Sequence, residues 1–137
     1  MREVIRARGH EHVAATHEST FEVTTDDWLT PAGDCIVGVE ADRSPADFDD
    51  DFVAACRDPE ATITLTLETA DARDEICARG HPDLTFGSDR SAVVRTSTDV
   101  DDRTVAVGAD AAAADLDREL VDALGGGADL SLTLTVE

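Results

Sequence analysis

An α+β fold is predicted: a mixed, barrel-like β-sheet of about seven to nine strands with two helices packed on it, built from two similar β-rich halves of one domain. Three observations predict it. The tetrapeptide Ala7-Arg8-Gly9-His10 returns as Ala78-Arg79-Gly80-His81, and each copy leads into the same order of strand and helix signals. Segments such as Thr62 to Glu68 alternate Leu or Ile with Thr, the period-two pattern of a half-buried strand. Two further segments place apolar residues four apart behind acidic caps, as a short amphipathic helix does. At 137 residues the chain is large enough for one core and too small for two. The domain is expected to span 1–137, with its halves at 4–68 and 75–136.

Taken in order, a short strand is expected from Val4 to Arg8, ending at Gly9. His12 to Thr24 reads as a long strand whose odd positions, Val13, Ala15, His17, Ser19, Phe21 and Val23, face the core. His17 is then a histidine on the apolar side. After a loop punctuated by Pro31 and Gly33, Cys35 to Ala41 is the next strand. Ser44 offers an N-cap, Pro45 suits the first helical position and Asp47 stands where a capping-box acid belongs. Phe48, Phe52 and Cys56 form the helix stripe, Pro59 closes it, and Thr62 to Glu68 follows as a strand.

The second half has strand signals at Glu75 to Ala78, Leu84 to Phe86, Ala92 to Thr96 and Thr104 to Val107. Asp110 is the expected cap of a helix with the stripe Leu116, Leu120 and Leu124, terminated by Gly125-Gly126-Gly127. Asp129 to Glu137 is the closing strand. Each helix lies between strands, so a β-α-β crossover is expected in each half.

The charge is extreme. Asp and Glu number 31 against 11 basic residues, every one of them arginine, for a formal −20. The acids are spread along the whole chain, which points to adaptation to a salt-rich cytoplasm, where molar salt screens their repulsion to about 3 Å. Such a surface argues against general binding to a phosphate backbone, while leaving room for a local arginine site. No apolar run approaches the roughly 20 residues of a membrane span. The N-terminus is too charged for a signal peptide. Three cysteines, at 35, 56 and 77, form no Cys-x-x-Cys pair and suit reduced thiols. A soluble cytoplasmic protein is expected, with oligomeric state unread.

The chain resembles an archaeal family known as domain of unknown function 371. The likeness covers nearly the whole length. It rests on Gly9-His10, on Thr16-His17-Glu18-Ser19-Thr20-Phe21-Glu22-Val23-Thr24 and on Leu29-Thr30-Pro31-Ala32-Gly33-Asp34-Cys35-Ile36-Val37-Gly38-Val39. Further on it includes Gly80-His81-Pro82, Val94-Arg95-Thr96-Ser97, and Asp102-Arg103-Thr104 leading to Ala112-Ala113-Ala114-Asp115-Leu116-Asp117. The resemblance implies an archaeal source and carries no activity with it.

Three constellations could bear chemistry. His10 and His12, with His81 from the other copy, offer metal ligands, and zinc is the ion their chemistry would select. Against this, each Gly-His can simply close a turn. His17 with Asp34 and Cys35 could form a nucleophile pair oriented by a carboxylate, or Cys35 could be a small buried hydrophobe. Arg95, Ser97 and Arg103, near Asp99 and Asp102, could grip a phosphate or carboxylate, or could tie the halves through ion pairs with Glu22, Asp34 or Asp99. No Gly-rich phosphate loop or Gly-x-Ser-x-Gly elbow is present. The leading functional expectation is a polar pocket between the halves, lined by His10, His17, Glu22, Asp34, Arg95 and Arg103. It would bind a small polar or anionic ligand, with hydrolysis using His17, Glu22 or Asp34 as an option. The competing one is a non-catalytic interaction module, an assembly partner in an RNA or protein complex.

Overall fold

The same order of elements occurs twice in the computed structural model, which describes all 137 residues. The first set is β1 (Arg2–Arg8), β2 (Thr20–Thr24), β3 (Ile36–Gly38), a 3₁₀ turn (Pro45–Asp47), α1 (Asp50–Cys56) and β4 (Thr62–Glu68). The second is β5 (Arg73–Arg79), β6 (Ser91–Arg95), β7 (Thr104–Ala106), a 3₁₀ turn (Ala113–Asp115), α2 (Arg118–Gly125) and β8 (Asp129–Val136).

The eight strands form two four-stranded sheets, ordered β1-β8-β4-β5 and β3-β2-β6-β7, so the fold is mixed α+β. The first sheet is antiparallel throughout and interleaves strands of the two halves. In the second, β2/β3 and β6/β7 are parallel while the central pair β2/β6 is antiparallel. The sheets do not close into a barrel. Their edges meet at the bridges Arg8↔Val39 and Arg79↔Val107, each followed by one further backbone hydrogen bond, from Asp42 to Arg6 and from Asp110 to Cys77. Each helix carries the chain from the second sheet to the first. The strands flanking it therefore never share a sheet, and no handed β-α-β crossover is formed through it.

One apolar core of 33 buried residues fills the space between the layers. Ile63, Leu65 and Leu67 of β4 and Leu130, Leu132 and Leu134 of β8 supply alternate inward positions, facing Phe21, Val23, Ala92 and Val94 from the second sheet. Phe52 and Cys56 of α1 and Leu120 and Leu124 of α2 complete it. The stripes read from sequence thus point inward.

Three local readings differ. The strand expected over His12 to Thr24 is formed only from Thr20, because Ala15 adopts φ 50° and turns the chain; Phe86, also at φ 50°, ends the extended stretch expected near Leu84. Each long helix is broken in two. Asp49 is extended and its carboxylate accepts from the Asp51 amide, making it the N-cap of α1, and Asp117 does the same for α2. Asp110 is therefore no cap. Its carboxylate accepts from the Cys77 amide instead. Ser44 and Asp47 do pair as expected, with the Ser44 amide and hydroxyl both donating to the Asp47 carboxylate.

In the centre of the second sheet Glu22 pairs with Val93. Each lies fifteen residues beyond the first residue of its Ala-Arg-Gly-His copy. The seam between the two halves therefore runs down this sheet, between β2 and β6.

Candidate functional site

The two Ala-Arg-Gly-His strings build corners, not a shared site. Arg8 and Arg79 make the bridges to Val39 and Val107 by reciprocal backbone hydrogen bonds. Gly9 and Gly80 then pass under the C-terminal carbonyls of α2 and α1, where a Cβ would strike Leu124 and Cys56 respectively. His10 Nδ1 accepts the His12 amide at 3.0 Å, and His81 Nδ1 accepts the Asp83 amide at 3.0 Å. The imidazoles close turns. β1 and β5 occupy opposite edges of the first sheet and run in opposite directions, so His10 and His81 are held far apart. His12 stacks loosely on His10, ring centroids 5.3 Å apart, and no group of three or more His, Cys, Asp or Glu is arranged as a metal site.

His17 also serves its own turn. Its Nδ1 accepts the Ser19 and Thr20 amides at 3.2 and 3.1 Å, and its own amide donates to the Asp34 carbonyl. Ser88 Oγ plays the same part before β6, accepting from Arg90 and Ser91. The Cys35 thiol points at Glu22, Sγ to Oε1 3.8 Å, and not at His17. Burial pushes its pKa up, and the charge of Glu22 pushes it further. That is the reverse of what a nucleophilic thiol needs.

The arginines form an ion-pair network. Arg95 donates to Thr104 Oγ1 at 2.9 Å and pairs with Asp101 at 2.9 Å, while Arg103 pairs with Asp101 at 3.1 Å and approaches Glu22 at 3.9 Å. Ser97 closes a turn with Asp99. Asp34 and Asp99 are not the arginines' partners. Asp101, which the sequence did not single out, is. A second tie spans the seam: Arg90 grips both carboxylate oxygens of Asp26.

Burial alone would raise the Asp101 pKa. Hydrogen bonds from the Arg103 side chain and amide and from Thr104, with the charge of Arg95, outweigh it and hold the group at about 2, against an ordinary 3.8. The folded value is depressed, so the stabilisation is complete above about pH 4 and is lost as pH falls toward 2. Asp101 is 40% exposed, and screening limits its contribution to about 1 kcal/mol. Asp101→Asn should therefore melt below the wild type at pH 5, with the gap closing toward pH 2. Paired thermal melts across that range check this, and a gap independent of pH would contradict it.

A cleft of about 370 Å³ opens on the outer face of the second sheet beside the seam. The first half lines it with Glu22, Asp26, Trp28 and Ile36, and the second half with Ser88, Asp89, Arg90, Ser91, Asp102 and Arg103. Strand β2 holds Glu22 at its base, 12% exposed. Trp28, the lone tryptophan, stands on the rim 56% exposed. Of the residues expected to line a pocket between the halves, Glu22 and Arg103 do so, while His10, His17, Asp34 and Arg95 do not. Larger depressions lie on the first sheet and near His81, but their charged groups are more open to solvent, with none seated at a base as Glu22 is.

A two-sheet α+β domain with a mixed-charge cleft at its seam defines the class of protein. The model of the family described as "Domain of unknown function (DUF371)" matches residues 5–137, and the chain belongs to that family. It is similar to the uncharacterized protein MJ0206 of the archaeon Methanocaldococcus jannaschii, 37% identical over 133 residues that cover 97% of this chain and 98% of that protein. No helix is long and apolar enough to cross a membrane.

Proposed function

We propose that the protein is a salt-adapted cytoplasmic binding module, a single domain of two like halves (4–68 and 75–136), whose cleft takes a small zwitterionic ligand. One observation carries the reading: carboxylates of both halves and two arginines of the second line one depression at the seam, with Glu22 recessed at its base. Four carboxylates, of Glu22, Asp26, Asp89 and Asp102, would face a ligand's ammonium or guanidinium group. The guanidinium forks of Arg90 and Arg103 would take its carboxylate or phosphate. A simple anion is served less well, because the cleft is net acidic. Binding is favoured over hydrolysis. No histidine or cysteine lines the cleft, and the Ser88 hydroxyl is taken up by the Arg90 and Ser91 amides.

The test is a thermal-shift panel in concentrated KCl with free amino acids, dicarboxylates, phosphate monoesters and polyamines. A zwitterion at about 100 times its Kd should add about 2.7 kcal/mol of stability. Shifts confined to simple anions or to polyamines would reject the reading.

A further inference from the structure

Every glutamate of the chain is exposed except Glu3 and Glu22, and the fold treats these two differently. Glu3, its side chain 10% exposed, is fully engaged. Its Oε1 meets the Arg43 guanidinium at 2.8 Å, and its Oε2 accepts from the Asp49 amide at 2.7 Å. The same guanidinium lies over the Phe48 ring, 5.4 Å from its centroid. A recessed carboxylate is thus held by a planar cation that also covers an aromatic face.

Glu22 has a carboxylate and a ring in its cleft, and no cation committed to it. No N–H or O–H of the protein donates to it. Its Oε1 meets the Cys35 thiol at 3.8 Å and Arg103 Nη1 at 3.9 Å, and its Oε2 has no hydrogen-bond partner. The ring is the indole of Trp28 on the rim. The nearby guanidinium groups are taken: Arg90 donates to Asp26 and Arg103 to Asp101, each through Nε and Nη2. Nη1 of each makes no hydrogen bond. The two walls also differ. Glu22, Asp26, Trp28 and Ile36 of the first half bring acid and all the apolar lining but no basic group, whereas both arginines stand on the wall of the second half.

We infer that the ligand of the cleft is a guanidino acid, a zwitterion whose cation is a guanidinium. The inference rests on the zwitterion reading above and names its cation. The guanidinium gives two parallel N–H groups to Glu22 and its face to the Trp28 indole, as Arg43 serves Glu3 and Phe48. The ligand's carboxylate turns to the opposite wall and accepts from Nη1 of Arg90 and of Arg103. Other cations serve this wall less well. A primary ammonium has donors but no planar face, and it holds its water strongly. A quaternary ammonium suits the indole but has no donor, and leaves a recessed carboxylate unsatisfied.

Isothermal titration calorimetry of the full chain in concentrated KCl tests this with one acid carrying three different cations. The probes are γ-guanidinobutyrate, γ-aminobutyrate and γ-trimethylammoniobutyrate, with butylguanidinium added as the cation without its carboxylate. The guanidino acid should bind at least about tenfold more tightly than each of the others. Trp28→Leu keeps an apolar rim without a π face, and should bind it about threefold more weakly at an unchanged melting temperature. Equal or tighter binding of either other acid would overturn the guanidinium assignment and leave the zwitterion reading standing. Equal binding of butylguanidinium would instead overturn the zwitterion reading beneath it, and no binding by any probe would overturn both. Undiminished binding by Trp28→Leu would remove the stacking on which the assignment depends.

Discussion

Gly80→Ala is expected to destabilise the domain by about 3 kcal/mol and to lower its melting temperature by about 10 °C. The cause is steric. Gly80 passes directly beneath the C-terminus of α1, where its missing Cβ leaves room for the carbonyls of Cys56 and Asp58. Its own amide donates to the Ala61 carbonyl, and the next amide, of His81, donates to Cys56. A methyl group there must push the helix end away from the sheet edge, breaking hydrogen bonds that tie α1 to β5. Gly9 under α2 should behave alike, with its amide bound to the Ala128 carbonyl. Gly127 is the control. It has φ 86° and nothing within 4 Å of a built Cβ, so alanine there carries only the backbone penalty of about 1 kcal/mol. Thermal melts of the three variants, followed by circular dichroism, check the order. Equal losses at Gly80 and Gly127 would refute the steric account.

The second large effect is expected from salt. Only six of the 31 carboxylates, those of Glu3, Glu22, Asp26, Glu40, Glu75 and Asp101, are in ion-pair contact with an arginine. The remainder repel one another across a small surface, and no lysine relieves them. Screening shortens from about 10 Å at 0.1 M salt to about 3 Å at 1 M, which removes repulsion between neighbours that are not in contact. Transfer from molar KCl to a tenth of that should cost about 3 kcal/mol, or about 10 °C in melting temperature. Melting temperature against KCl concentration measures it. A flat profile would remove the support for salt adaptation.

Strand chemistry is the most readable part of this chain. Thr62 to Glu68 forms a strand over the residues its alternation marks, because one face is buried against the core and the other is open. The Phe48-Phe52-Cys56 and Leu116-Leu120-Leu124 stripes also point where their spacing says. The positive φ at Ala15 and Phe86 is hidden, since neither position carries the glycine or asparagine that usually marks such a turn. The division into two sheets is hidden too, because period-two alternation fixes which face is buried and not which strand is the neighbour. Asp49 is masked by standing among three consecutive aspartates.

The site is legible in part. Glu22 is marked by its setting in an apolar, hydroxyl-rich strand, and Arg103 by standing beside hydroxyl residues in the turn before β7. Arg90 and Asp26, whose bidentate pair crosses the seam, lie 64 residues apart and share no local pattern. Trp28 carries a signal that reasoning from titratable groups passes over, as the only tryptophan of the chain, set in an acidic loop. The histidines draw attention by chemical type, yet His10, His17 and His81 each spend Nδ1 on a backbone amide.

Trp28 makes the central claim directly measurable. It is the sole tryptophan, the chain has no tyrosine, and it stands on the rim of the cleft. Intrinsic fluorescence titrated with the zwitterion selected by the thermal-shift panel should change saturably, and Glu22→Gln and Arg90→Gln should each weaken that binding by about tenfold or more while the protein stays folded. Fluorescence that does not respond to any zwitterion, or that responds equally in both variants, would contradict a ligand site at the seam.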